Sequence, residues 1–122
     1  MKFTKEHEWV LRDGEIVTVG ITRHAQEMLG ELVYVEMPAI EKTFKQGDVV
    51  GIVESVKVAS EIYSPMAGTI TDINQNVVEE PKLLNTNSED LGWLFKMRVA
   101  NAQEYESLLS KDDYEKLLNS TS

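Results

Sequence analysis

The sequence predicts a mainly β fold, a sandwich or flattened barrel of two antiparallel sheets, with one short helix after the first hairpin and short C-terminal helices. Three observations carry this expectation. Short β-type runs follow one another with Gly, Pro, Asn or Asp between them. Helical periodicity is confined to a short early segment and to the tail. The segment Gly51 Ile52 Val53 Glu54 Ser55 also recurs in kind as Gly68 Thr69 Ile70 Thr71 Asp72, small residue, apolar pair and polar end on either side of one turn. That recurrence suggests two similar halves folded about a pseudo-twofold axis.

Residues 8–12 and 15–21 read as an opening hairpin, because Asp13 Gly14 between them tolerates the positive φ of a tight turn. Thr22 can cap a helix over 23–29, and Gly30 sits where a left-handed C-terminal cap is wanted. A strand over 32–36 is closed by Pro38, and a polar connection leads to the turn Gln46 Gly47 Asp48. Strands are expected over 49–55, 58–63 and, after Ser64 Pro65, 68–74. The acidic stretch 85–90 reads as a loop, and 92–99 as the last strand, its apolar residues alternating with Lys96 and Arg98. In the tail, Asn101 with Glu104 resembles a capping box ahead of Tyr105, Leu108 and Leu109 on one helical face. Ser110 and Asp113 repeat the device before Tyr114, Leu117 and Leu118. The stripes predict two short docking helices in a C-terminal helical segment, 101–119, of one domain covering 1–122.

Composition removes several function classes. Twelve basic against twenty-one acidic residues give a formal charge of −9, which repels phosphate backbones and anionic lipid surfaces, so neither nucleic acid nor membrane is an expected partner. No apolar run is long enough to span a bilayer. The first nine residues lack a secretory h-region and are too acidic for a transit peptide, so the expected location is the cytoplasm, or the mitochondrial matrix for a processed form. With no cysteine the chain offers neither thiolate nucleophile nor thiolate ligand, and any sulfur redox chemistry must come from a cofactor. His7, Glu8 and His24 lack metal-ligand spacing, and Glu54 and Glu61 read as solvated flank residues rather than an acid/base pair. No Gly-rich phosphate loop and no nucleophile elbow is present.

One turn departs from local rules. Between the strands at 49–55 and 58–63 stand Val56, Lys57 and Val58, two stiff β-branched residues around one cation, where Asn, Asp or Gly would be usual. Nothing there favours a turn on intrinsic grounds. An exposed Lys is by itself most often an edge residue that deters aggregation. A local inconsistency in a natural sequence, however, is where function is to be sought.

Glu54 Ser55 Val56 Lys57, followed by Ser60 Glu61, Ser64 Pro65 and Gly68, resembles the modification hairpin of lipoyl carriers. Val56 distinguishes it from lipoyl domains of 2-oxoacid dehydrogenases, where Asp usually precedes the lysine, and from biotin carriers, where two Met flank it. The chain resembles the H-protein family of the glycine cleavage system, whose usual pattern is Glu Ser Val Lys Ala; here Val58 replaces that Ala. Similar residues stand at His7 Glu8 Trp9, Gly20 Ile21 Thr22, Ala25 Gln26, Leu29 Gly30, Gln46 Gly47 Asp48, 81–85 and Gly92 Trp93, so the resemblance covers nearly the whole chain. The stretch 85–91 departs from the family's loop.

The resemblance implies a barrel-sandwich hybrid with a lipoyl-bearing hairpin and a non-catalytic carrier whose lipoate is covalently bound at Lys57, with Glu54, Ser55, Val56 and Val58 flanking the arm. It implies an arm that takes the aminomethyl group of glycine from a pyridoxal phosphate-dependent glycine decarboxylase to a tetrahydrofolate-dependent aminomethyltransferase. An FAD-dependent dihydrolipoyl dehydrogenase and a lipoylating enzyme complete the partners, and the carrier is expected to be a monomer. Two other uses stay open at this level: a lipoyl relay supplying other lipoylated enzymes, and an interaction module in which Lys57 is unmodified.

Overall fold

The structure, a computed structural model, describes residues 1–120. The last two positions of the expected 1–122 domain lie outside the described residues. In chain order the elements are β1 (Lys2–Phe3), β2 (Glu8–Asp13), β3 (Ile16–Ile21), α1 (Arg23–Leu29), β4 (Leu32–Glu36), β5 (Thr43–Phe44), β6 (Val49–Ser55), β7 (Ala59–Tyr63), β8 (Gly68–Ile73), α2 (Gln75–Glu79), α3 (Leu83–Asn87), β9 (Phe95–Val99), α4 (Gln103–Glu106) and α5 (Lys111–Ser120). The strands form two antiparallel sheets and no closed barrel. One has six strands in the order β1-β2-β3-β9-β8-β5, and the other has three in the order β4-β6-β7.

Alternation along the strands turns one face of each sheet inward. Val10, Val17 and Val19 come from the first hairpin, Leu32, Val35, Val53 and Ile62 from the three-stranded sheet, and Ile70, Phe95 and Met97 from β8 and β9. All lie in one buried cluster. This core fixes the three-stranded sheet, and with it the β6–β7 hairpin that carries Lys57. The recurring segments centred on that hairpin end up in different sheets, β6 in one and β8 in the other. A Cβ at Gly51 would meet the Glu36 carbonyl, and one at Gly68 the Arg98 carbonyl, so both glycines permit a close backbone approach.

Local chemistry explains most boundaries. In the first hairpin Asp13 is still paired, opposite Ile16, and Gly14 alone takes the positive φ, 63°. Thr22 Oγ1 accepts the Ala25 N–H at the start of α1, and Gly30, at φ 84°, returns its N–H to the Gln26 carbonyl at the end. The expected short helix is therefore present with both caps.

The differences from expectation have identifiable causes. Residues 85–90 are not simply a loop: α3 runs to Asn87 because Leu84 is fully buried, and tertiary packing overrides the poor helix propensity of Asn and Thr. The strand expected from Gly92 begins at Phe95. Gly92 donates to the Asn87 carbonyl and Trp93 to that of Asp90, which makes both part of a turn. Strands β1 and β5 and helix α2 went unanticipated, although Asn74 caps α2 by accepting the Asn76 N–H. In the tail the first capping box is not formed: α4 follows Ala102 without a side-chain cap, Asn101 Oδ1 accepts the Gln103 N–H, and Glu104 Oε1 accepts from Ala67 N–H instead of turning back to Asn101. Helix α4 stops at Glu106, and Leu109 bridges to Phe3 in extended pairing. The second box is led by its cap as expected, with Ser110 Oγ accepting the Asp113 N–H.

Candidate functional site

The turn between β6 and β7 is organised by one hydroxyl. Ser55 Oγ accepts the N–H groups of Lys57 and Val58, each at 3.1 Å, and donates to the Val58 carbonyl at 3.2 Å. Ser55 N–H also reaches that carbonyl at 2.8 Å. The side chain thus supplies the acceptor that a tight turn normally finds in its own backbone, and the valines are tolerated because the turn does not depend on them. The expectation that nothing local favours a turn is overturned here: Ser55, only 8 % exposed, is the signal, and Ser is a preferred leading residue of such turns. A second tie comes from outside the hairpin, where Val56 N–H donates to the Glu31 carbonyl at 3.0 Å.

With the turn so fixed, Lys57 projects from its tip, exposed, and among the described residues its ammonium has no hydrogen bond or ion pair. Val56 and Val58 beside it are 67 % and 50 % exposed, an unusual display for β-branched aliphatics. Glu54 lies opposite Ala59 and Glu61 opposite Ile52, so the register places the two carboxylates diagonally on one face of the hairpin. Glu61 accepts a hydrogen bond from the Tyr63 hydroxyl at 3.3 Å. An amine held this way is open to acylation, and losing its charge would strand no counter-ion.

Two remote features also need placing. The histidines, far apart in sequence, meet in space with ring centroids 4.8 Å apart, yet no group of three or more metal-binding side chains exists among the described residues. His7 Nδ1 lies 2.8 Å from the Tyr114 hydroxyl, and burial, then the neighbouring His24, holds its pKa below the usual imidazole value. Glu8 faces inward. It is 1 % exposed, accepting from Tyr63 N–H at 2.8 Å and the Thr4 hydroxyl at 3.0 Å, and burial pushes its pKa up to about 7 despite both bonds. A cleft of about 510 Å³ opens beside it, lined also by Tyr63, Ser64, Pro65 and Leu109. Sequence reasoning missed this buried carboxyl; the available signal was an acidic residue leading a strand whose next two positions, Trp9 and Val10, are buried.

The family model described as glycine cleavage H-protein matches residues 1–121. The chain is 43% identical over 118 residues to a glycine cleavage system H protein of Carboxydothermus hydrogenoformans, covering 97% of this chain and 91% of that one. It is 46% identical over 114 residues to the protein of that name from Thermotoga maritima, covering 93% and 92%. In three dimensions it is similar to the crystal structure of a glycine cleavage system H protein from Mycobacterium marinum, with a TM-score of 0.85, 31% identity and coverage of 97% and 95%.

Proposed function

We propose, since the chain belongs to the glycine cleavage H-protein family, that its working residue is Lys57 and that lipoate is joined to that side chain as an amide. The chain is a carrier component of the glycine cleavage system and not an enzyme, and its family carries covalent lipoate. The observation that supports Lys57 is its position: an unpartnered, exposed amine at the tip of a turn whose backbone is bonded at both ends.

When bound, the lipoyl group supplies a dithiolane that takes up the aminomethyl unit and is afterwards reoxidised from the dithiol. The chain's own residues place and shelter the arm. Ser55 holds the Lys57 backbone so that the arm starts from one place, Val56 and Val58 give it an apolar surface to rest on, and Glu54 with Glu61 gives the hairpin a negative flank. The other components of the system are its partners. In finer detail these are the pyridoxal phosphate-dependent decarboxylase, the tetrahydrofolate-dependent aminomethyltransferase, the FAD-dependent dihydrolipoyl dehydrogenase and a lipoylating enzyme. Weak, steered encounters suit a chain of formal charge −9.

Intact mass tests the site. After incubation with lipoate, ATP and a lipoate ligase, one lipoyl increment is expected, absent in Lys57→Ala; an increment retained by that variant would refute Lys57. The modified protein should then stimulate glycine–bicarbonate exchange by the decarboxylase, and failure to do so would remove the role of Lys57 in glycine cleavage.

A further inference from the structure

The geometry points to Asn85 as a positioning residue for the modification turn, acting through the backbone of residues 30–32. The inference rests on Lys57 being the attachment site. Asn85 Nδ2 donates to the Gly30 carbonyl at 2.8 Å, and its Oδ1 accepts the Leu32 N–H at 3.0 Å. Glu31, the residue between them, lies at the bend by which the chain passes from α1 into β4. The side-chain amide thus bridges the two backbone groups that flank Glu31, donating to one and accepting from the other. The Glu31 carbonyl in turn accepts Val56 N–H at 3.0 Å, one residue before Lys57.

Leu32 is held by its burial in the core, and the clamp adds a tie on the Gly30 and Glu31 side of it, which is more loosely held. Gly30, at φ 84°, is the permissive joint that ends α1, and the β4–β6 register shifts between Leu32 and Tyr34, where a bulge loosens the ladder. The one ion pair there among the described residues, Lys82 to Glu31 at 3.9 Å, joins exposed side chains and contributes little. Asn85 is itself firmly anchored: it rides on α3, whose Leu84 is fully buried. The fixed core thus reaches the Lys57 turn by a short chain of hydrogen bonds, from α3 through Asn85 and residues 30–32 to Val56. Ser55 shapes the turn from within, the core holds the sheet that carries it, and Asn85 steadies the Glu31 carbonyl against which Val56 is tied.

The test compares wild type with Asn85→Ala and with the near-isosteric Asn85→Asp, which keeps the acceptor for Leu32 and loses the donor to Gly30 at neutral pH. Amide hydrogen exchange at Val56 should accelerate about fivefold to tenfold in either variant, the loss expected of one or two hydrogen bonds. Exchange at Val19 and Ile70 in the distant core should change much less. With a lipoate ligase, KM for the unmodified protein should rise several-fold while kcat stays within about twofold, since the amine itself is untouched. In Asn85→Asp the Val56 amide resonance should titrate with the introduced carboxyl, because the protonated acid can again donate to Gly30. Uniform acceleration across the core, or unchanged Val56 exchange, overturns the clamp; an unchanged KM overturns its link to modification. If wild type gains no lipoyl mass, the attachment reading fails instead, and the exchange data still judge the clamp.

Discussion

The Ser55 hydroxyl accepts the Val58 N–H at 3.1 Å, in the place where a tight turn ordinarily uses the carbonyl of its first residue. Ser55→Ala removes this bond and its companion to Lys57 N–H together, leaving two turn amides to water. A stability loss of about 1 kcal/mol is expected by urea denaturation, with lipoylation slowed several-fold. Ser55→Thr keeps the hydroxyl and should recover most of the lipoylation rate. Equal rates in wild type and Ser55→Ala would show that the valine-rich turn holds its shape unaided.

Glu8 makes stability pH-dependent in an unusual direction. An unfolded Glu titrates near 4.5, whereas burial raises the folded carboxyl to about 7, so between these values the folded chain holds the proton and the unfolded chain has lost it. The stabilisation is full below about 4.5 and is lost as pH rises through 7, with an upper bound on the order of 3 kcal/mol. Urea midpoints should decline from pH 5 to pH 8 in wild type and stay nearly level in Glu8→Gln, which is neutral throughout. A slope of equal size in the variant would assign the effect to other groups.

What could be read in advance, and what could not, divides along physical lines. The Asp13 Gly14 turn, the Thr22 and Gly30 caps and the strand alternation are local devices whose meaning is complete in a few residues. The proposal for Lys57 draws on a distinctive run, Glu54 to Lys57, whose pattern is complete in four residues. Helix α3 was not legible, because Leu84 stabilises it through burial and the intervening Asn and Thr argue the other way. Glu104 was read as a reciprocal cap, yet it serves Ala67, a residue 37 positions away. Asn85 bonds across 53 and 55 positions, and the meeting of His7 with Tyr114 spans 107. Such partners are set by the assembled sandwich and leave no mark in local pattern.

Gly20 pairs with Trp9 across the first hairpin, and a Cβ there would stand 2.6 Å from the indole. The ring cannot simply turn aside, since Trp9 Nε1 donates to the Ser88 carbonyl at 2.8 Å and the residue is 2 % exposed. Gly20→Ala should therefore cost about 2 kcal/mol. The penalty should shrink in a Trp9→Phe background, where the smaller ring leaves room, and a double-mutant cycle measures the coupling. Strict additivity would mean that the strain arises elsewhere.

Tyr114 fastens α5 to the body of the molecule by two separable means. Its ring stacks on Phe3 with centroids 4.7 Å apart, and its hydroxyl lies 2.7 Å from Thr22 Oγ1 and 2.8 Å from His7 Nδ1. Tyr114→Phe keeps the stack and leaves His7 Nδ1 without this partner, a loss of about 1 kcal/mol. Tyr114→Ala also opens a cavity against Phe3 and should lose about 3 kcal/mol or more. Thermal or urea unfolding separates the two contributions, and equal losses would assign the docking of α5 to the hydroxyl alone. Because Lys57 lies on the β6–β7 hairpin and this contact joins β1, α1 and α5, Tyr114→Phe should be lipoylated at the wild-type rate, which distinguishes helix docking from the positioning of the turn.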